Sequence, residues 1–201
     1  MAPSSASRSW KPPSAPSPPL VFIVVGPGGV GKGTVIRRLL ERDDRLWLSR
    51  SWTTRPRRPG EAEDAYHFVD KETFLAHAEA GGFLEWAQVL DDLYGTPVPA
   101  PPAGKDLVLE IDVQGARQVL ALRPDALCIL LLAPTGEDQE ERLRARGDSE
   151  DHVRRRLALG EKEVAEAGQI ASEVVVNDDV ESAVARLAAI IDAARAGASR
   201  P

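Results

Sequence analysis

LVFIVVGPGGVGKGT, from Leu20 to Thr34, opens as an apolar run that can form a buried strand and turns at Gly26. A helix-like stretch, VIRRLLER, follows directly. Gly26, Gly31 and Lys32 fit the phosphate-loop spacing G-x-x-x-x-G-K in the strand–turn–helix context that the pattern needs. Glycines at Gly26, Gly28, Gly29 and Gly31, with Pro27 and Val30 between them, let backbone N–H groups turn inward around a polyphosphate. The helix start adds positive dipole character. Lys32 then reaches the β- and γ-phosphates as a point charge. Gly33 stands where a Ser or Thr would ligate Mg²⁺, and the first hydroxyl comes one place later, at Thr34.

The 201 residues suit one domain with a sizeable core and room for small inserted lobes. A net charge of −6 argues against general nucleic-acid binding, which rests on excess Lys and Arg. The basic residues nevertheless cluster at Arg55, Arg57 and Arg58 and again from Arg142 to Arg156. The lone cysteine, Cys128, lies in the apolar string ALCILLLA, so it reads as core and leaves no partner for a disulfide. No apolar run reaches the length of a membrane span. Residues 1–19 are rich in Ser and Pro, lack an apolar signal core, and read as a disordered tail. Their prolines oppose the amphipathic helix of a transit peptide, so a cytoplasmic protein is expected.

Leu20–Val25, Leu107–Ile111, Ala126–Ala133 and Glu173–Val176 are near-continuously apolar, as parallel strands covered on both faces are. A further strand is expected near Trp47–Ser51. Helical patterns run over Lys32–Arg42, Val113–Leu122, Glu137–Arg146, Asp151–Ala167 and Val180–Ala194. The alternation predicts a doubly wound α/β sheet between two helix layers. Residues 51–96 break the rhythm with a turn-rich stretch, short β-like pieces such as YHFV and an amphipathic helix at Lys71–Ala80. That is too long for a plain connection, so an inserted lobe is expected. The string PVPAPPAG, Pro97–Gly104, returns the chain to the core as a stiff linker.

Seven strings occur in order after the loop: SWTTRPRRPGE, YHFVD, FLEWAQV, YGTP, LEIDVQGA, RLRARG and VVVNDD. Together with the loop they resemble the guanylate kinase family, from residue 20 to about 192. The resemblance implies a P-loop three-layer α/β/α fold that transfers a phosphoryl group from ATP, with Mg²⁺, to GMP and possibly to dGMP. It implies a core over 20–50, 97–140 and 157–195, a GMP-binding lobe over 51–96 and a lid over 141–156. Gly26 to Thr34 would hold ATP, and Asn177 matches an adenine-side or lid-hinge position. Arg55 and Arg58 match the pair that grips the GMP phosphate, with Tyr66 and Tyr94 as hydroxyl partners and Glu61 beside them. Two guanidinium forks around a dianion make physical sense, because charge-assisted bidentate bonds are the strong ones.

Ser51, Glu85 and Thr96 match the positions that read guanine. A carboxylate at Glu85 accepts from the N1–H and the exocyclic amine of guanine, a pair that adenine lacks. Asp112 either adds a contact to the amine or helps to hold hydrated Mg²⁺. Glu110 shares its strand face and is either a ligand or a buried acid paired with an arginine. Arg142 and Arg146, one helical turn apart, match lid arginines over the transferring phosphoryl group, and Arg156 fits a third such position. Arg144, Arg154 and Arg155 match no role and read as solvated surface. His67, His77 and His152 show no metal spacing, and Phe83 and Trp86 read as lobe packing.

The chain departs from the family pattern in three places. Gly33 lacks the Mg²⁺-ligating hydroxyl, although the same GKGT ending serves adenylate kinases, which hold the metal largely through water. The segment from Glu61 to Tyr66 is one residue short. Asp92–Leu93 replaces a more aromatic, glycine-containing turn before Tyr94. Two other classes compete with a GMP kinase. A related small-molecule kinase, such as a ribose-bisphosphate kinase, has no need of Glu85 or of LEIDVQG. A non-catalytic binding module of the same fold can lose the loop lysine and lid arginines, whereas this chain keeps Lys32, Arg142 and Arg146. The sequence does not choose between monomer and homodimer.

Overall fold

The computed structural model describes residues 18–58 and 60–198. The elements run β1 (Val21–Val25), α1 (Lys32–Arg42), β2 (Leu46–Leu48), β3 (Trp52–Thr53), β4 (His67–Phe68) and α2 (Lys71–Glu79). They continue with β5 (Phe83–Val89), β6 (Asp92–Pro97), β7 (Asp106–Glu110), α3 (Val113–Leu122) and β8 (Leu127–Leu132). The chain ends in α4 (Gly136–Ala145), α5 (Glu150–Ala167), β9 (Glu173–Val176) and α6 (Val180–Ala198). Of the Ser/Pro-rich stretch, residues 1–17 lie outside the described residues. The Pro19 carbonyl accepts from Arg123 Nη2 at 3.4 Å.

Five parallel strands form the central sheet in the order β2-β7-β1-β8-β9. Alternation along β1 divides the core into two. Phe22 and Val24 pack with Val35, Ile36 and Leu39 of α1 and Val184, Leu187 and Ile191 of α6. Val21, Ile23 and Val25 face the other way, with Val113, Ala116 and Val119 of α3 and Ala167 of α5. A strand buried on both faces must be apolar throughout, which is why β1 reads VFIVV. Each such fully buried side chain contributes about 1.5–3 kcal/mol. Cys128 is wholly buried in β8. No described helix is long and apolar enough to cross a membrane.

β1 lies between β7 and β8, at the point where the strand order reverses. In open α/β sheets that crevice, at the carboxyl ends of the strands, is where ligands bind. A second sheet, β4-β3-β6-β5, stands over it and is built from residues 52–97. Its outer strand, β5, is tied to the core by α3. Gln118 Nε2 donates to the Trp86 carbonyl at 3.0 Å, and Gln114 Nε2 to the Gln88 carbonyl at 3.3 Å.

The lobe is more regular than the short β-like pieces expected from the sequence. FLEWAQV and DLYGTP form an antiparallel hairpin with Glu85 opposite Thr96. Its turn holds Leu90 at φ 57, a left-handed conformation that a bulky side chain adopts only under constraint. Phe83 packs against Phe74 at 4.6 Å and edge-on to Trp52 at 5.7 Å, as expected. Trp86 packs in the lobe only in part. Its ring meets the edge of Phe74 at 6.2 Å, on the face that Phe83 also uses, yet it stays 42% exposed, so it packs at the rim of the lobe and not inside it. α2 buries only Phe74, so it is less amphipathic than its pattern suggests.

Candidate active site

The turn after β1 is built for close approach. Gly26 has φ 150, and a Cβ there would stand 2.2 Å from the Leu131 carbonyl oxygen, so only glycine fits. Gly31 caps α1 in the left-handed region with no side-chain hydrogen bond. The first-turn amides of α1, at Lys32, Gly33 and Thr34, have no intrahelical acceptor and remain free to meet an anion. Lys32 Nζ donates to the carbonyls of Gly26 at 2.6 Å and Pro27 at 3.3 Å. Burial pushes the Lys32 ammonium down, while the charges of Glu110 and then Glu163 oppose the fall.

The loop is clamped from behind. Asn177 is 3% exposed. Its Nδ2 donates to the Val30 carbonyl at 2.8 Å. Arg142 donates to the carbonyls of Val30 at 3.3 Å and Asn177 at 3.0 Å. Gln139 Nε2 reaches the Gly28 carbonyl at 2.7 Å. Asn177 therefore buttresses the loop, and Arg142 is committed to backbone carbonyls beside it. No sequence pattern marked Gln139.

Two acids end β7. Glu110 lies beside the loop, its oxygens 3.7 and 3.8 Å from where a Cβ of Gly33 would be. Burial pushes its carboxyl up and Lys32 pulls it back, so its cation is the loop lysine and not an arginine as the sequence allowed. Asp112 caps α3, its Oδ1 accepting from the amides of Gln114 at 2.7 Å and Gly115 at 3.1 Å. Burial raises its carboxyl against those two bonds. Thr34 is exposed, in the first turn of α1. Among the described residues no group of three or more His, Cys, Asp or Glu could hold a metal ion.

Opposite the loop, Glu85 is 3% exposed. Its Oε1 accepts from the Thr96 amide at 3.1 Å and the Thr96 hydroxyl at 2.5 Å. Gly115 makes the room, since a Cβ there would stand 2.3 Å from Glu85 Oε2. Ser51 is buried in the same lobe. Burial pushes the Glu85 carboxyl up to about 7, the Thr96 hydroxyl pulls it down, and Asp112's charge adds to the rise.

That displacement has a thermodynamic consequence. Between its ordinary value of 4.5 and about 7, the folded protein binds a proton that the unfolded chain releases. Stability from this group is fully present at low pH and is lost as pH rises through 7. Glu85→Gln, neutral throughout, is expected to be more favourable at about pH 8.5 than at about pH 5 by on the order of 3 kcal/mol. Urea unfolding of both proteins at the two pH values measures the difference. An equal offset at both would contradict it.

The lobe's arginines are spoken for by acids. Arg55, 6% exposed, is gripped bidentately by Glu61 at 3.0 and 2.7 Å. Its guanidinium stands 5.6 Å from the Tyr66 ring centroid, and Tyr94 lies 6.1 Å from Tyr66. Arg58 donates its amide to Glu61 at 3.0 Å and approaches Asp148 at 3.8 Å. Burial pushes the Glu61 carboxyl up, yet the Arg55 fork and the Arg58 amide hold it below its ordinary value. Asp148 also binds Arg146, so one carboxylate draws the lobe's Arg58 and the α4 arginine together. The sequence reading missed Asp148, whose only signal is its place just after Arg146-Gly147.

Arg156 is 8% exposed and lies beside Gly28, where a Cβ would stand 3.3 Å from its Cδ. Arg144 and Arg154 form exposed pairs with nearby acids, as expected of surface. Arg155 is exposed as well. It bonds Asp91 at 2.8 Å and so joins α5 to the turn of the β5–β6 hairpin. His77 stacks on Trp52 at 4.4 Å, and His67 sits at the outer face of the same tryptophan.

The site thus combines a glycine-rich loop carrying Lys32, arginines and tyrosines gathered around Glu61, and the buried acid Glu85. The family model described as guanylate kinase matches residues 19–194. A guanylate kinase of Thermosynechococcus vestitus is 44% identical over 180 residues, covering 87% of this chain and 94% of its own. One from Thermus thermophilus is 46% identical over 186 residues, covering 90% of this chain and 84% of its own. The crystal structure of guanylate kinase from Anaplasma phagocytophilum superposes with a TM-score of 0.70 at 30% identity, over 87% of this chain and 85% of that one. By fold and sequence alike, this chain belongs to the guanylate kinase family.

Proposed function

We infer that the protein transfers the γ-phosphoryl group of ATP to GMP, giving ADP and GDP. The observation that carries this reading is Glu85, a carboxylate buried in the lobe with Oε2 left to accept from a base. Guanine offers N1–H and an amine to such an acceptor, while adenine would leave it unpaired and desolvated. ATP would lie on Gly26–Thr34, its phosphates taking Lys32 Nζ from the carbonyls it holds here. GMP would lie in the lobe over 51–96, its phosphate replacing Glu61 between Arg55 and Arg58, with Tyr66 and Tyr94 alongside. Ser51, Thr96 and Asp112 would complete the base site.

Phosphoryl transfer needs in-line alignment and neutralisation of the equatorial oxygens, and no covalent protein intermediate. Arg146 and Arg156, from the lid over 141–156, would bring cations to that centre, and Arg142 would join them on leaving the carbonyls it holds here. Mg²⁺ suits the donor set. The ion takes one or two carboxylates and fills its shell with phosphate oxygens and waters, and Glu110 beside Gly33 and Asp112 at the start of α3 would supply them. When bound, the ion would supply positive charge against the phosphates. Lobe and lid closing on the core would exclude water and so prevent hydrolysis. Soluble nucleotide substrates and one buried cysteine suit a cytoplasmic enzyme.

Phosphorus NMR of ATP and GMP incubated with the protein and Mg²⁺ tests the reading. Equimolar ADP and GDP are expected. ADP with inorganic phosphate and no GDP would sink it.

A further inference from the structure

His152 lies in the first turn of α5, its amide on the Ser149 hydroxyl at 3.3 Å. Its Nε2 accepts a hydrogen bond from Arg156 Nε at 3.2 Å, one helical turn along. Accepting at Nε2 requires the neutral imidazole with its proton on Nδ1. Arg156 in turn passes closely over the phosphate loop, where a Cβ at Gly28 would lie 3.3 Å from its Cδ and 3.6 Å from its Nη1. With Nε tied to His152, Nη1 of the fork is held against the loop at Gly28.

We propose that His152 is a positioning residue for phosphoryl transfer, which when neutral seats Arg156 over the phosphate loop and when protonated releases it. The proposal rests on reading Arg156 as a lid cation for the transferring group. Around the imidazole stand Asp148 between α4 and α5, Arg146 at the end of α4, Arg58 from the lobe and Arg156 on its own helix. A protonated ring loses its acceptor and joins three guanidiniums against one carboxylate, so it repels Arg156. Burial, and then the charge of Arg156, hold the imidazole below its ordinary value, so the neutral ring prevails at neutral pH. Bound phosphates add negative charge and move the transition upward.

The test is kcat, with KM for each substrate, from about pH 5.5 to 8.5 for the parent, H152A, H152Q and R156A. Substrate phosphate ionisation, near pH 6, is common to all and cancels in ratios of kcat. At about pH 8, H152A is expected to lose about tenfold in kcat with KM for GMP little changed. H152Q, whose amide oxygen accepts from Arg156, is expected to recover to within about threefold of the parent. On acidification the parent should lose kcat faster than H152Q, because only the parent carries the titrating ring.

Parental kcat in H152A, a parent-to-H152Q ratio flat in pH, or an H152Q that melts like the parent yet fails like H152A would overturn the proposal. If R156A keeps parental kcat, the lid reading of Arg156 fails and takes the proposal with it. If R156A is impaired while H152A is not, the lid reading stands and only the role of His152 falls.

Discussion

Replacing Lys32 with alanine is expected to lower kcat by about 10³-fold with the fold intact. Its Nζ already sits 2.6 Å from the Gly26 carbonyl at the mouth of the loop. The cation thus stands at the loop before any phosphate arrives, passes from that carbonyl to the phosphates when ATP binds, and is in place before transfer. Burial disfavours its charge, and the nearby carboxylates of Glu110 and Glu163 offset that. Alanine removes the cation and leaves those two acids facing the triphosphate, so repulsion adds to the lost attraction. Lys32→Arg keeps the charge but puts a wider fork where a compact ammonium fits, and should restore little. Single-turnover rates with saturating ATP and GMP measure the loss, with thermal melting as the control. A variant within about threefold of the parent rate would contradict the role given to Lys32.

Replacing Glu85 with alanine is expected to cut kcat/KM for GMP by about 10³-fold while changing that for AMP by less than about threefold. Thr96 fixes Oε1 with two hydrogen bonds. Gly115, lacking a Cβ, leaves room for Oε2 beside α3. The acid is thus held for a base with two donors on one edge. Removing it leaves guanine's amide N–H and amine without partners, a cost paid by GMP alone. Parallel initial-rate measurements with the two acceptors decide it. Equal losses for GMP and AMP would mean that Glu85 supports the lobe without reading the base.

The central sheet was legible because its strands are buried on both faces and so nearly free of polar residues. β9 matches its expected bounds, β1 differs by one residue at one end, and β7 and β8 by one residue at each end. The lobe was harder. β3 and β4 are two residues each, too short for any periodicity, and gain their register from β6 and from each other. The β5–β6 hairpin turns through Leu90 rather than an Asn-Gly pair, so the usual turn signal is missing. In the site, residue types and order pointed to the phosphate loop, the paired arginines and Glu85. They could not show that Glu61 holds the Arg55 fork, that Arg142 binds loop carbonyls, or that Asp148 draws Arg58 and Arg146 together. Those contacts join residues from separate segments, and only the folded chain brings them within reach.

The most direct test of this account is the rate of ADP release from ATP in the presence of GMP, dGMP or AMP, each against ATP alone. The account predicts rapid, saturable ADP formation with GMP and a kcat/KM at least about 10³-fold above that for AMP. ADP formation with GMP no faster than with ATP alone, or as fast with AMP as with GMP, would contradict it.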